Sequence, residues 1–327
     1  MANYTWNGAD GGYGNYLDPA QWTPGDVPLY GAGDVATISI STGGVTLSDA
    51  EPDNITLTLG RDPSTTITLD LARDPSSVGA IPTLPPSSFP IPILRLPLDY
   101  PILALRNAAL GPDMTLDAAG LAGLRVDGYD TNYGTINAVP FSDGQGPGNG
   151  AALIIDIGPG TLANQGAQLN QEGTIAVTNS SLVIDGPGTL NNDGQIFIGP
   201  GSAGVFETSI VGSGTITLDH ANASLNSAAS TQTVDLLGGT LGTSPTLEAA
   251  IKDWNNDGQL TFTSAFGVNS VQFNQTSDAG GDLQLFGAAG QVGDLHLLGT
   301  YATSDFTLVS RSGGTSLGVS GHLPLSA

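Results

Sequence analysis

Apolar and polar residues alternate in short bursts along this chain. Thr174-Ile175-Ala176-Val177 and Thr215-Ile216-Thr217-Leu218 are typical. A period of two sends Ile, Val and Leu to one face of a strand and Thr and Ala to the other. The bursts follow recurring phrases. Gly-Pro-Gly-Thr-Leu occupies 158–162 and 186–190, and Gly-Pro-Gly returns at 199–201. A second phrase reads Asn-Tyr-Gly-Thr-Ile at 132–136, Asn-Gln-Glu-Gly-Thr-Ile at 170–175 and Asn-Asn-Asp-Gly-Gln-Ile at 191–196. It continues as Gly-Ser-Gly-Thr-Ile at 212–216 and Asn-Asn-Asp-Gly-Gln-Leu at 255–260. Its glycines, Gly134, Gly173, Gly194, Gly214 and Gly258, are 39, 21, 20 and 44 residues apart. Those gaps read as two, one, one and two units of about 20 residues.

A strand after each glycine at such a period predicts an all-β protein built as a β-solenoid, a parallel β-helix of about 20 residues per coil. One strand cannot bury its face alone. Coils stacked about 4.8 Å apart pair their backbones and build a continuous apolar interior. Glycine and Asn-Asp are expected at the corners because they tolerate positive φ. A glycine-rich sandwich is the competing architecture.

Composition agrees with β structure rich in turns. Charged residues make up 11%, against the usual quarter, and 47 of the 327 residues are glycine. The net charge of −23 excludes nucleic acid and anionic membrane surfaces as partners, since either needs a basic stripe. Cysteine is absent, which removes disulfides, thiol chemistry and zinc-thiolate sites. No membrane-spanning segment is expected: the most apolar tract, 89–105, is broken by Arg95, Asp99 and four prolines. No signal peptide is visible at the N-terminus, so either it has been removed or export uses another route, such as an uncleaved C-terminal signal.

Four regions follow. Residues 1–60 read as an N-terminal cap with first strands, and 61–130 as a Pro-rich arm with irregular coils. Residues 131–260 are the regular solenoid, and 261–327 a C-terminal β module. The first region holds Trp6, Gly8, Trp22, Val27, Pro28, Gly33 and Asp34. This series resembles the opening of bacterial autotransporter-like large exoproteins with β-helical passengers, departing from them at Tyr16, where a Trp is common. A solenoid needs such a cap over its first coil; a sugar-binding aromatic platform is the alternative. Eight prolines fall between Pro75 and Pro101, in a tract that is nonetheless apolar. An exposed apolar arm must lie on something. It either packs on its own solenoid or docks on a neighbouring copy by adding a strand, through Phe89, Ile91, Ile93, Leu94, Arg95 and Leu96. Five of the seven basic residues lie in 61–125, a local positive offset that suits an acidic patch on another copy or simply solvent. Ser244-Pro245 followed by 246–254 predicts a short helix. The run from Val292 to Tyr301, with Asp305-Phe306 and Gly313-Gly314-Thr315, is similar to a C-terminal module of alphaproteobacterial secreted proteins, including those exported by one-step ATP-driven (type I) secretion.

The chemical motifs are thin. Asp253, Asn255, Asp257 and Gly258 match the first positions of a calcium loop, but Ser264 stands where a bidentate Glu belongs, so a repeat corner is the better reading. The run 11–16 nearly matches a calcium-roll repeat and is read as a turn, because Tyr16 replaces the required Asp. Gly314-Thr315-Ser316-Leu317-Gly318 fits G-x-S-x-G without the strand-to-helix elbow that motif needs. His220, His296 and His322 are isolated. Lys252 is the only basic side chain in 131–260. Asp156, Asp185 and Glu207 are candidate carboxylates by abundance, with no spacing that unites them. No catalytic, cofactor or metal residue is assigned. The expectation is a secreted or cell-surface structural protein, not an enzyme, self-assembling into a surface layer, matrix or filament. An adhesin or extracellular polysaccharide-binding module is the first alternative, and a β-helical polysaccharide lyase or hydrolase the second.

Overall fold

A computed structural model of the chain describes residues 3–6, 13–15, 20, 22–23, 25, 35–37, 44–48, 57–59, 66–68, 102–106, 108–110, 115–119, 121–126, 129–139, 151–158, 167–225, 227–263, 266–311 and 314–320. It is all-β, and no α-helix occurs among these residues. Most strands run parallel in stacked sheets, an arrangement compatible with a β-solenoid. The chain passes from a ten-stranded sheet to a twelve-stranded one, then to a six-stranded one, and returns. Thr174–Val177, Ser180–Asp185 and Thr189–Asn192 make one circuit. Gln195–Ile198, Ala203–Phe206 and Ser209–Val211 make the next.

Parallel pairing in register turns the alternation of single strands into columns. Leu116, Ile136, Ile175, Ile196, Ile216, Val234, Ile251 and Leu297 occupy one register position on consecutive strands. None is more than 5% exposed. Each fully buried side chain of this size stabilises by about 1.5–3 kcal/mol. Leu153, Leu182, Gly204, Ala223, Leu241, Leu260 and Leu317 form a matching column in the twelve-stranded sheet.

The register corrects the counting of units. Thr135 pairs directly with Thr174, so the 39-residue gap is one circuit with an insertion, not two circuits. Along the same sheet Thr174, Gln195, Thr215, Thr233 and Ala250 are paired in succession, at separations of 21, 20, 18 and 17. The shortening has a visible cause. The six-stranded sheet ends at Ser209–Val211, and later circuits cross that side without a paired strand. Gly258 lies in the twelve-stranded sheet beside Gly239, at a different corner from Gly214. The 44-residue gap therefore does not measure two circuits.

The expected helix at 246–254 does not form. Ala250–Lys252 is a strand paired with Thr233–Asp235. Leu247, Ala249 and Ile251 are all buried, and inward burial at these alternate positions outweighs the cap signal. Ser244 Oγ still accepts from the Thr246 amide, at 3.2 Å, but it closes a turn.

Past Gly258–Thr263 the pairing becomes antiparallel, apart from the parallel junction of Gly290–Leu298 with Ala250–Lys252. Gly314–Val319 adds to the twelve-stranded sheet, and Phe306–Arg311 lies outside it. Gly290–Leu298 joins the ten-stranded sheet at Ile251, followed by Gly280–Gly287 and Ser270–Ser277. Between these layers Trp254, Phe273, Tyr301 and Phe306 form a ring cluster with centroids 5.6–5.9 Å apart. At the other end Trp6 stands opposite Trp22 in an antiparallel pair. The proposed arm residues Phe89, Ile91, Ile93, Leu94, Arg95 and Leu96 lie outside the described residues.

Candidate functional site

The corners fix where polar side chains stand. At the corner entering the ten-stranded sheet, Gly173, Gly194 and Gly214 stack without positive φ. A Cβ on Gly173 would sit 2.1 Å from the Gly134 carbonyl oxygen. One on Gly194 would sit 2.2 Å from that of Gly173, and one on Gly214 2.4 Å from that of Gly194. Close backbone stacking, not left-handed geometry, demands glycine here. Gly212, with φ of 95°, is left-handed at this corner, and more left-handed residues occur at the next: Asn179 and His220 with φ of 50°, Gly201 with 73° and Asp253 with 53°.

Behind the glycine stack runs a buried ladder of amides that motif searching missed. Asn132, Gln171, Asn192 and Gln232 are each 0% exposed. Asn132 Nδ2 donates to Gln171 Oε1 at 2.8 Å, and Asn192 Nδ2 to Gln232 Oε1 at 2.9 Å. Gln232 Nε2 donates to the carbonyls of Asn192 (2.6 Å) and Val211 (3.0 Å). The signal was an Asn or Gln two residues before a corner glycine, at 132, 171 and 192.

The carboxylates that spacing left scattered are brought together. Asp156 pairs in register with Asp185, and Glu207 follows Phe206, which pairs with Ile184. The insertion in the longer circuit hid this alignment. Arg125 stands beside Asp156 in the preceding strand. Partial burial raises the Asp185 pKa above the ordinary carboxylate value, and the charges of Asp156 and Glu207 raise it further.

A second charged group surrounds Lys252. Its Nζ lies 2.9 Å from Asp253 Oδ2 and 4.0 Å from Asp235 Oδ2. The hydrogen bond to Asp253 raises the pKa of Lys252 and holds it cationic. Asp235 is raised by burial first and by the neighbouring Asp253 second. Tyr301 is pushed up to about 12 by burial and by Asp253. A protonated lysine paired to carboxylates neutralises charge; it does not abstract a proton.

The remaining motif residues stay apart. Asn255 Oδ1 accepts from the Asp257 amide at 2.9 Å, and its Nδ2 donates to the Leu237 carbonyl at 3.3 Å, so this side chain ties a corner. Among the described residues no group of three or more His, Asp or Glu is arranged to hold a metal ion. Ser316 lies in the strand Gly314–Val319 and is buried, with no elbow beneath it. His220 Nδ1 meets Asp219 at 2.6 Å, and His296 Nδ1 meets Asp282 at 3.1 Å, on separate exposed sites. His322 is outside the described residues.

The outward side of the six-stranded sheet carries a row of small polar groups. Gln168 and Asn170, then Thr189 and Asn191, alternate with buried neighbours. Gln168 Nε2 donates to Asn170 Oδ1 at 2.6 Å, and Asn191 Nδ2 donates to the same oxygen at 3.2 Å. Tyr129 and Tyr133 stand exposed at one end of the row and Val211 at the other.

No protein-family model matches the chain, and no curated protein matches it.

Proposed function

We propose that the chain is an extracellular bacterial structural protein, a β-solenoid subunit that self-assembles into a surface layer, matrix or filament. In this reading the coils average about 20 residues, the tryptophan-bearing N-terminus is a cap, 75–101 is an arm, and 261–327 is a C-terminal module. The supporting observation is the apolar column from Leu116 to Leu297, continuous through eight strands in register. Its interior is spent on rigidity: side chains and main chain of each circuit brace the next. The carboxylates sit on a corner column, and Lys252 is neutralised by its neighbours, so these groups favour a structural role over a reactive one.

Self-association is assigned to the arm. Negative-stain imaging of the purified full chain is expected to show filaments or particles longer than one subunit. Deletion of 75–101 is expected to shorten them to single rods. Unchanged particle length after deletion would remove the arm from the mechanism, and isolated short particles of the full chain would remove self-assembly.

A further inference from the structure

Five large apolar side chains are exposed among the described residues, and three border one sheet: Tyr129 (46%), Tyr133 (44%) and Val211 (37%). Tyr129 begins the strand Tyr129–Asn132, and Tyr133 follows it directly. Val211 ends the strand Ser209–Val211. Three strand spacings separate those two strands, about 14 Å. The ground between is neither apolar nor charged. It is the amide and hydroxyl row of Gln168, Asn170, Thr189 and Asn191, linked laterally by hydrogen bonds. Asn170 Nδ2 also donates to Thr131 Oγ1 at 3.5 Å and Asn191 Nδ2 to Asp193 Oδ2 at 3.2 Å, so an Asn170 N–H can still donate to a ligand and Asn191 Oδ1 can still accept from one.

The edges of this face select the occupant by charge. Asp156, Asp185 and Glu207 line the corner through which the chain enters the sheet, with Arg125 beside Asp156 at the head of the column. Glu172 and Asp193 are exposed at the corner through which it leaves. An anionic polymer would meet carboxylates on both sides, on a chain of net charge −23. A second copy laid face to face would oppose the same rims to themselves, and like charges facing each other are costly. A peptide strand cannot add to a face whose backbone groups are already paired within the sheet. What remains is a neutral, hydroxyl-rich ligand with flat apolar faces for tyrosine to cover.

We propose that the outward face of the six-stranded sheet binds a neutral polysaccharide. Its sugar rings lie against Tyr129 and Tyr133, its hydroxyls exchange hydrogen bonds with Asn170 and Asn191, and Val211 meets its far end. This goes beyond a structural role and does not depend on self-assembly, since one chain carries the whole face.

The test is native affinity electrophoresis of the full chain in gels containing mixed-linkage β-glucan, galactomannan or soluble starch, with polygalacturonate as the anionic comparator. Retardation is expected with at least one neutral polymer and not with polygalacturonate. Tyr133→Ala and Asn191→Ala are each expected to weaken that retardation about tenfold. Tyr133→Phe is expected to retain it, because the ring face is kept. Melting temperature should be unchanged by the substitutions at Tyr133, whose side chain is exposed, which separates loss of binding from loss of fold. Retardation by none of the neutral polymers overturns the proposal. So does retardation by polygalacturonate alone, or neutral binding that neither Tyr133→Ala nor Asn191→Ala weakens.

Discussion

Glycine serves two physical purposes here, and single substitutions separate them. Gly194 is needed because the Gly173 carbonyl oxygen would lie 2.2 Å from its Cβ. Both atoms at that contact belong to rigid backbone, so relaxation is expensive. Gly194→Ala is expected to destabilise the protein by about 3 kcal/mol, measured by urea denaturation. Gly318 has no atom within 4 Å of its would-be Cβ and ordinary φ. Gly318→Ala is expected to be neutral, or stabilising by up to about 1 kcal/mol through the unfolded chain. The carboxylate column makes a separate residue-scale prediction. The Asp185 pKa is raised in the folded state, so the native protein binds more protons between the ordinary value of 3.8 and the folded value. Stability therefore falls as pH rises through that window, and the ionised group is a fixed cost above it. Asp185→Asn is expected to raise the melting temperature at pH 7, and the gain should vanish below pH 3.8. An equal gain at both pH values would assign it to packing instead of charge.

At the scale of elements, what could be read from the sequence was the strand and what could not was the corner. Alternation located Thr174–Val177 and Thr215–Leu218, because a period of two is written in the residues themselves. Corner identity was not legible, because one phrase serves different corners. Asn191-Asn192-Asp193-Gly194 leads into the ten-stranded sheet, whereas Asn255-Asn256-Asp257-Gly258 leads into the twelve-stranded one. Gly-Pro-Gly likewise follows Ser180–Asp185 at 186–188 but precedes Ala203–Phe206 at 199–201. The acidic column was missed for the same reason, since its register depends on an insertion that spacing counted as a full unit. The polar row was written in plain sight, but only pairing shows that Gln168 and Thr189 are neighbours. The amide ladder links corner to element. Gln232 serves two carbonyls, of Asn192 and Val211, and accepts from Asn192 Nδ2, so it ties together segments 40 and 21 residues earlier in the chain. Gln232→Leu would orphan those buried groups at once, and a loss of about 3 kcal/mol is expected by urea denaturation. A loss below about 0.5 kcal/mol would mean the ladder sets register without contributing stability.

For the whole molecule, the two ends of the parallel stack pose the same problem, because the last strand of any sheet offers unpaired backbone to another chain. At the C-terminal side the antiparallel strands answer it. Gly314–Val319 covers the edge of Gly258–Thr263, and Gly290–Leu298 begins to cover that of Ala250–Lys252. The outermost strand, Ser270–Ser277, has its own edge engaged: Thr303 Oγ1 accepts from the Phe273 amide at 2.9 Å. Gln275 Nε2 donates to the carbonyls of Gly280 (3.2 Å) and Gly299 (3.1 Å), tying the strand to the turns around it. Stacking through the Ser270–Ser277 edge is thereby obstructed, whereas the twelve-stranded sheet ends on Phe306–Arg311, which pairs only with Gly314–Val319. Removing everything after Thr263 would bare the edge of Gly258–Thr263 and uncover Trp254, Leu260 and Phe262, all buried in the intact protein. The truncated chain is expected to sediment as large, indefinite aggregates and the full chain as a species of defined size. Restoring 264–327 as a separate fragment is not required for the comparison; analytical ultracentrifugation of the two chains at equal concentration suffices. A truncated chain that remains a soluble monomer would show that the parallel edge is harmless by itself, and that the antiparallel strands serve something other than closure.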